Sequence, residues 1–390
     1  MTHLRTRAVH AGQHPDPHSG AITTPITQST AFDYGTLAQG AALFAGTAEG
    51  YRYSRFGNPT VAALEAKVAD LEGAPAAVAF ASGTAATSAV LLGLLSPGDE
   101  IAFLGPLYGG TEALFRSMGK RWGIRAVDAT QQGLAASLTP ATRLVWVETL
   151  TNPDLRLHDL AEVVALARAR GLTTVADNTF CTPCLLRPLE LGIDLVLHSM
   201  TKYLGGHGDA TGGVVAGAGP LVAAVRKTGL AHVGGNLAPQ EAFLFLRGIK
   251  TLPLRMAAHC AGAAAVADFL AAHPTVRAVH YPGLPTHPQH ALAQRLLQGG
   301  FGGMVGFELA RNERAAAAAV LDALQLFAQA VSLGDVDSLA CHPASTTHSA
   351  LGAELRAAHG ISEGFIRLSV GIEHPDDLIA DLARALQHAV

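Results

Sequence analysis

An α/β architecture, with a mostly parallel central sheet and a smaller C-terminal α/β domain, is what this sequence predicts. Three observations predict it. From about residue 76 to 199, short and continuously apolar segments alternate with amphipathic helical stretches; strands apolar throughout are buried on both faces, as in parallel sheets covered by helices. At 390 residues, 49% hydrophobic and only 15% charged, the chain is too long for one ordinary core and has the apolar material for two. Beyond Lys250 the texture changes to an Ala-rich helix followed by further strands and helices. The chain therefore divides into an N-terminal arm (1–55), a large α/β domain (56–250) and a smaller one (251–390).

The arm is rich in Thr, Gly, Pro and Gln, reads as irregular, and needs a surface to lie on, such as a neighbouring subunit. A helix follows over Asn58–Glu72. Asn58 suits its N-cap, Pro59 sits at N1, and Val61, Leu64, Val68 and Leu71 make one stripe before Gly73 ends it. Strands are predicted at 76–81, 100–105, 143–149, 172–177 and 193–199. Between them lie helices at Thr84–Leu95, Thr111–Trp122 and His158–Arg170. The C-terminal part reads as helix Met256–Ala272, a strand at MVGFELA, helix Ala315–Phe327, a strand at FIRLSVG and helix Pro375–Ala389.

Composition excludes several classes. A formal charge of −4 is small for this length and points to neither nucleic acid nor an acidic membrane surface. The apolar stretch around Ala85–Leu95 is too short to span a bilayer. The N-terminus, MTHLRTRAVHAG, has no apolar signal region. Cys181, Cys184, Cys260 and Cys341 make no disulfide framework, so a cytoplasmic setting is expected. Cys181-x-x-Cys184 lacks a second pair, and His342 and His348 lack a third ligand, so small core thiols and hydrogen-bonded loop histidines are expected rather than a metal. No dinucleotide, Walker-type or nucleophile-elbow motif occurs.

The chemistry concentrates in HSMTKYLGGHGDATGG (198–213). Lys202 follows a buried strand, where ligands of open α/β sheets bind. Ser199, Thr201 and the glycine N–H groups suit a phosphate. A desolvated lysine is a nucleophile toward carbonyls, whereas a lone loop lysine is a surface charge. Asp177 changes the balance. It ends the strand one βαβ step earlier, where a carboxylate can pair with a protonated pyridine nitrogen and make the ring an electron sink; taken singly it reads as a turn residue. ASGTAAT (81–87) offers a helix N-terminus at Gly83 and Thr84, and PLYGGT offers Tyr108 for stacking. A strand-end Asp followed by a strand-end Lys is what a pyridoxal-phosphate site needs.

Nine segments in order, YSRFGNPT, ASGTAAT, LYGGT, ETLTNP, VADNTF, HSMTKYLGGHGD, RGIKTLPLRM, VSLGDVDSLACHPASTTH and IRLSVGIE, resemble the Cys/Met-metabolism family of pyridoxal-phosphate enzymes. Within it, CTPCLLRPLELG, GHGD, SLGDVDSL and HGISEGFIRLSVG are most similar to the methionine γ-lyases. The resemblance implies the aspartate-aminotransferase-like fold (fold type I), with the cofactor in the 56–250 domain, and a homotetramer of two tight dimers. It implies that Lys202 holds pyridoxal 5′-phosphate as a Schiff base and that Asp177 partners the ring nitrogen. Tyr108 is implied to stack and to protonate the leaving group. Gly83, Thr84, Ser199 and Thr201 are implied to hold the phosphate, with Tyr53 and Arg55 reaching in from a neighbouring subunit. Arg367, with Ser332 and Asn152, is implied to bind the substrate carboxylate, and Glu148 to support the site from behind.

Departures from the γ-lyase pattern are Gly110 for Cys, Thr84 for Met, Thr149-Leu150 for Ser-Pro, Asp337 for Glu, and an uncharged 228–236 segment. They are expected around the substrate side chain, with Gly110 leaving room beside Tyr108. The implied reaction is γ-elimination on a sulfur amino acid. The alternatives are γ-replacement on an O-acyl-homoserine, as in cystathionine γ-synthase or O-acetylhomoserine sulfhydrylase, and cystathionine γ-lysis.

Overall fold

Seven strands build the larger sheet: β1 (Ala76–Phe80), β2 (Glu100–Leu104), β3 (Arg125–Asp128), β4 (Thr142–Glu148), β5 (Thr173–Asp177), β6 (Leu195–Ser199) and β7 (Gly213–Gly217). The computed structural model describes residues 2–349 and 352–389. The sheet order is β1-β7-β6-β5-β4-β2-β3. All strands run parallel except β7, which is antiparallel to both β1 and β6. Apolar side chains on both faces explain the layering. Ala79, Val145, Val147, Ala176, Val196 and Val214 enter one core, while Phe80, Phe103, Leu144, Trp146, Val175 and Leu195 enter the other. Burying each large aliphatic or aromatic side chain stabilises the fold by about 1.5–3 kcal/mol.

The five strands read from sequence are present, and β3 and β7 are additional. β3 is a four-residue edge strand whose ends are Arg125 and Asp128, so it carries no apolar run. β7 is glycine-bounded and continues the glycine-rich stretch after Lys202. Gly213 is required there, because a Cβ would lie 2.2 Å from the Ser82 carbonyl oxygen. The helix Pro59–Glu72 forms as expected: the Asn58 side chain accepts from Thr60 N, and Gly73 closes it at φ 71°. Asn58 Nδ2 also donates to Thr27 O at 2.8 Å, tying the arm to the larger sheet's helices. The arm is not wholly irregular. It contains helices Leu4–His10 and Leu37–Ala45, too short for periodicity to reveal.

The second sheet comprises β8 (Val276–His280), β9 (Met304–Leu309), β10 (Ala328–Gln329), β11 (Leu339–Cys341) and β12 (Phe365–Ser369), in the order β10-β11-β12-β9-β8. The helix Leu252–Ala272 is long and apolar enough to cross a membrane by length and composition. It buries Met256, Cys260 and Ala263 inside the protein, together with the polar Arg255 and His259, as a core helix does. The helix expected at 315–327 stops at Ala323. The Asp381 carboxylate takes the N–H groups of Gln325, Leu326 and Phe327, turning the chain into β10. The last α-helix ends at Ala385 and tightens into a 3₁₀ turn over Leu386–His388.

Candidate active site

The carboxyl ends of β1, β2, β4, β5 and β6 open into one cavity of about 550 Å³, a size usual for small-molecule sites. Gly83, Thr84, Tyr108, Asn152, Asp177, Ser199, Thr201, Lys202, Ser332 and Arg367 all line it. The second sheet contributes Arg367 from β12 and residues 331–333 from the loop after β10. Tyr53 and Arg55 are not among its lining residues. Both lie exposed, with the Arg55 guanidinium 5.6 Å from the Tyr53 ring centre and 4.9 Å from that of Phe56.

Lys202 stands in the turn after β6. Its Nζ donates to Ser332 Oγ at 3.1 Å. Burial and the nearby Arg367 charge push its amine below the ordinary lysine range, with Asp335 opposing; the neutral, nucleophilic form is thereby favoured. Asp177 ends β5 beside Glu148 of β4 in direct register. Asp177 Oδ1 accepts from Thr179 N at 3.0 Å and Thr179 Oγ1 at 2.5 Å. Its other oxygen has no hydrogen bond among the described residues and is free for a donor in the cavity. Burial raises the Asp177 carboxyl, and the Thr179 bonds and His198 pull it back. Glu148 is pushed well above the carboxylate range by burial and by the Asp177 charge. Glu148 Oε1 accepts from Tyr108 N at 2.6 Å and fixes the Tyr108 turn.

Arg367 is buried, and β12 aims it at the cavity floor. Its Nη1 donates to Asn152 Oδ1 at 2.9 Å, and Nη2 to the carbonyls of Val331 and Ser332 at 3.1 and 3.3 Å. Nε is buried and unpartnered, and the guanidinium at the cavity is a planar fork of the kind that matches a carboxylate. His348 supports this corner: Nε2 contacts Asn152 O at 3.2 Å and Nδ1 contacts Thr347 Oγ1 at 2.8 Å. Burial, then the Arg367 charge, pushes its imidazole down to about 4, so it stays neutral. His342 is likewise hydrogen-bonded, to Ser345 Oγ and Glu363 O. Cys181 and Cys184 are free thiols outside the cavity, each pushed up to about 12 by burial, and therefore unreactive.

The space expected beside Tyr108 is filled. A Cβ on Gly110 would lie 2.6 Å from Tyr108 Cε1 and 3.2 Å from its hydroxyl oxygen, because the ring leans over the glycine at the start of helix Gly109–Trp122. Gly110 therefore sets where the ring sits and does not enlarge the pocket. Thr84, Gly110 and Leu150 line the cavity, whereas Thr149, Asp337 and residues 228–236 do not. In that last segment Gly229 packs under Phe80 and Ala89. Thr179 was missed in the sequence although it orients Asp177 and accepts from Ser199 N at 2.9 Å. The Asp-x-Thr spacing of a side-chain-capped turn was the available signal. Thr211, Thr346 and Thr347 were missed too, with no signal beyond lying in motif segments.

These residues fit pyridoxal phosphate. The anion end is the N-terminus of helix Gly83–Leu94, capped by Ser82, where backbone N–H groups and dipole favour phosphate. Gly83 is needed there, since a Cβ would press on Ser199 at 3.0 Å. The Ser199 hydroxyl makes no hydrogen bond among the described residues, and the free Asp177 oxygen and the Lys202 amine stand at the same cavity. Comparison with known proteins agrees. The family model described as Cys/Met metabolism PLP-dependent enzyme matches residues 5–387. The L-methionine γ-lyase of Pseudomonas putida is 50% identical over 386 residues, 98% of this chain and 96% of that one. The cystathionine β-lyase of Coxiella burnetii is 45% identical over 390 residues, 99% and 98% of the two chains. A solved Campylobacter jejuni protein, described as an O-acetylhomoserine (thiol)-lyase and holding a pyridoxyl-lysine-phosphate group, superimposes with a TM-score of 0.95. It is 34% identical and covers 99% of this chain and 100% of its own. The fold is that of the fold-type I pyridoxal-phosphate enzymes, and the chain belongs to the Cys/Met-metabolism family of PLP-dependent enzymes.

Proposed function

We propose that the protein catalyses γ-elimination on L-methionine, using one water to give 2-oxobutanoate, ammonia and methanethiol. The observation that carries the reading is the meeting of the Lys202 amine, the free Asp177 oxygen and the Arg367 guanidinium at one cavity. The extended similarity to a methionine γ-lyase chooses among the reactions such a cavity supports. Bound pyridoxal phosphate supplies a protonated ring that accepts the electron pair left at the substrate Cα. Asp177 holds the proton on the ring nitrogen, and Gly83, Thr84, Ser199 and Thr201 bind the phosphate. The Arg367 fork orients the substrate carboxylate, with Asn152 and Ser332 fixing the guanidinium and the lysine. Lys202 removes protons at Cα and Cβ, and Tyr108 gives a proton to the departing thiolate.

Tyr53 and Arg55 complete the phosphate site of a neighbouring subunit in a homotetramer of paired dimers. The exposure of Ile22, Leu37 and Phe44 on the arm, at 80, 86 and 65%, supports such a covering subunit. Mixing an inactive Arg55→Ala chain with an inactive Lys202→Ala chain then restores part of the activity, since one hybrid site receives both intact groups. Verified subunit exchange without recovery contradicts this.

Selectivity follows the Tyr108 ring. Gly110→Cys pushes the ring off the glycine while the helical backbone at 110 accepts a side chain. Because the displaced ring is the group that protonates the departing thiolate, while a carboxylate leaving group needs little such help, the ratio of kcat/KM for methionine to that for O-acetylhomoserine is expected to fall about tenfold or more. An unchanged ratio contradicts the role given to Gly110.

A further inference from the structure

A cluster of three fully buried polar residues lies on the opposite face of the sheet from the cavity. Glu72 is the last residue of helix Pro59–Glu72, where the helix dipole is negative and a buried carboxylate is destabilising. Its Oε1 lies 2.5 Å from His198 Nε2 and accepts from Asn178 Nδ2 at 3.3 Å. Glu72 Oε2, His198 Nδ1 and Asn178 Oδ1 are buried without partners among the described residues. Packing alone gives no reason to keep this cluster in the core.

Its connections do. Asn178 follows Asp177 and His198 precedes Ser199, so the cluster clamps the ends of β5 and β6 together. Asn178 N donates to Leu197 O at 2.8 Å, and Asn178 Nδ2 to Leu186 O at 2.8 Å. Across the cavity face, Ser199 N donates to Thr179 Oγ1, which donates to Asp177 Oδ1. The carboxylate of Asp177, the turn behind it and the phosphate-side serine are therefore set by one continuous group of bonds.

We propose that Glu72, His198 and Asn178 form a positioning cluster that fixes the ends of β5 and β6 from behind and so holds the Asp177 carboxylate where it grips the cofactor ring. The proposal rests on the reading of Asp177 as the partner of the ring nitrogen. The test is a double-mutant cycle on pyridoxal-phosphate affinity, read by titrating apoenzyme with cofactor and following the visible absorption band. His198→Gln should weaken binding about tenfold when Asp177 is present and less than about twofold in an Asp177→Asn background, the signature of action through Asp177. Glu72→Gln, which keeps a hydrogen-bonding group but removes the carboxylate charge, should weaken it in the same background-dependent way. It carries the cycle if the histidine variant does not fold. Equal losses in both backgrounds, or none in either, overturn the proposal while leaving the Asp177 reading intact. An Asp177→Asn enzyme that binds cofactor as tightly as the wild type removes both.

Discussion

Lys202→Ala is expected to lower kcat/KM by about 10⁴-fold or more, because one residue serves as the cofactor's covalent anchor and as its proton shuttle, and acid–base transfer alone contributes about 10²–10⁴. The fold should survive. Among the described residues the amine makes one hydrogen bond, to Ser332, so thermal unfolding of the apoenzyme should change little. The diagnostic step is borohydride reduction followed by peptide mapping. Wild-type protein should carry the pyridoxyl group on Lys202, and the variant should carry none. A label on Lys67, Lys120, Lys227 or Lys250 contradicts the site. Lys67 is the instructive control. It is fully buried, but its Nζ is committed to the carbonyls of Ala8 and Val9, where it holds the N-terminal helix away from the residues that line the active-site cavity.

Arg367→Ala carries the second largest effect. Removing one partner of a buried charged pair costs about 2–5 kcal/mol, much of it from groups left unpaired, so kcat/KM should fall about 30- to 5,000-fold. Three groups lose a donor at once: Asn152 Oδ1 and the carbonyls of Val331 and Ser332. The loss should appear mainly in KM, since a substrate carboxylate is held alike before and during reaction. Arg367→Lys should rescue little, because an ammonium cannot serve Asn152, two carbonyls and a carboxylate together from one planar fork. Steady-state kinetics on methionine checks this. A variant with unchanged KM places the carboxylate elsewhere.

Much of this was legible in the sequence because the site is built from strand ends. Asp177 and Lys202 each close a continuous apolar run, so their placement at one sheet edge follows from topology alone. Asn58 and Gly73 declare the helix between them by their chemistry. Less legible were features that need three dimensions. β7 hides inside a glycine-rich stretch because its glycines serve a close approach to Ser82. Gly110 was read as empty space, yet the Tyr108 ring occupies it, and a sequence does not say which way a ring leans. Glu72 read as the end of a helix, and nothing local to it announces a partner 126 positions away at His198. Long-range polar contacts of that kind leave no periodicity to detect.

The reaction ends in elimination, without capture by a second nucleophile. Product analysis of the pure holoenzyme tests it most directly, on methionine, on cystathionine, and on O-acetylhomoserine with and without sulfide. Methionine alone should give 2-oxobutanoate, ammonia and methanethiol in equal amounts. No 2-oxobutanoate from methionine, together with homocysteine formed from O-acetylhomoserine and sulfide, would contradict it and make the protein a γ-replacement enzyme.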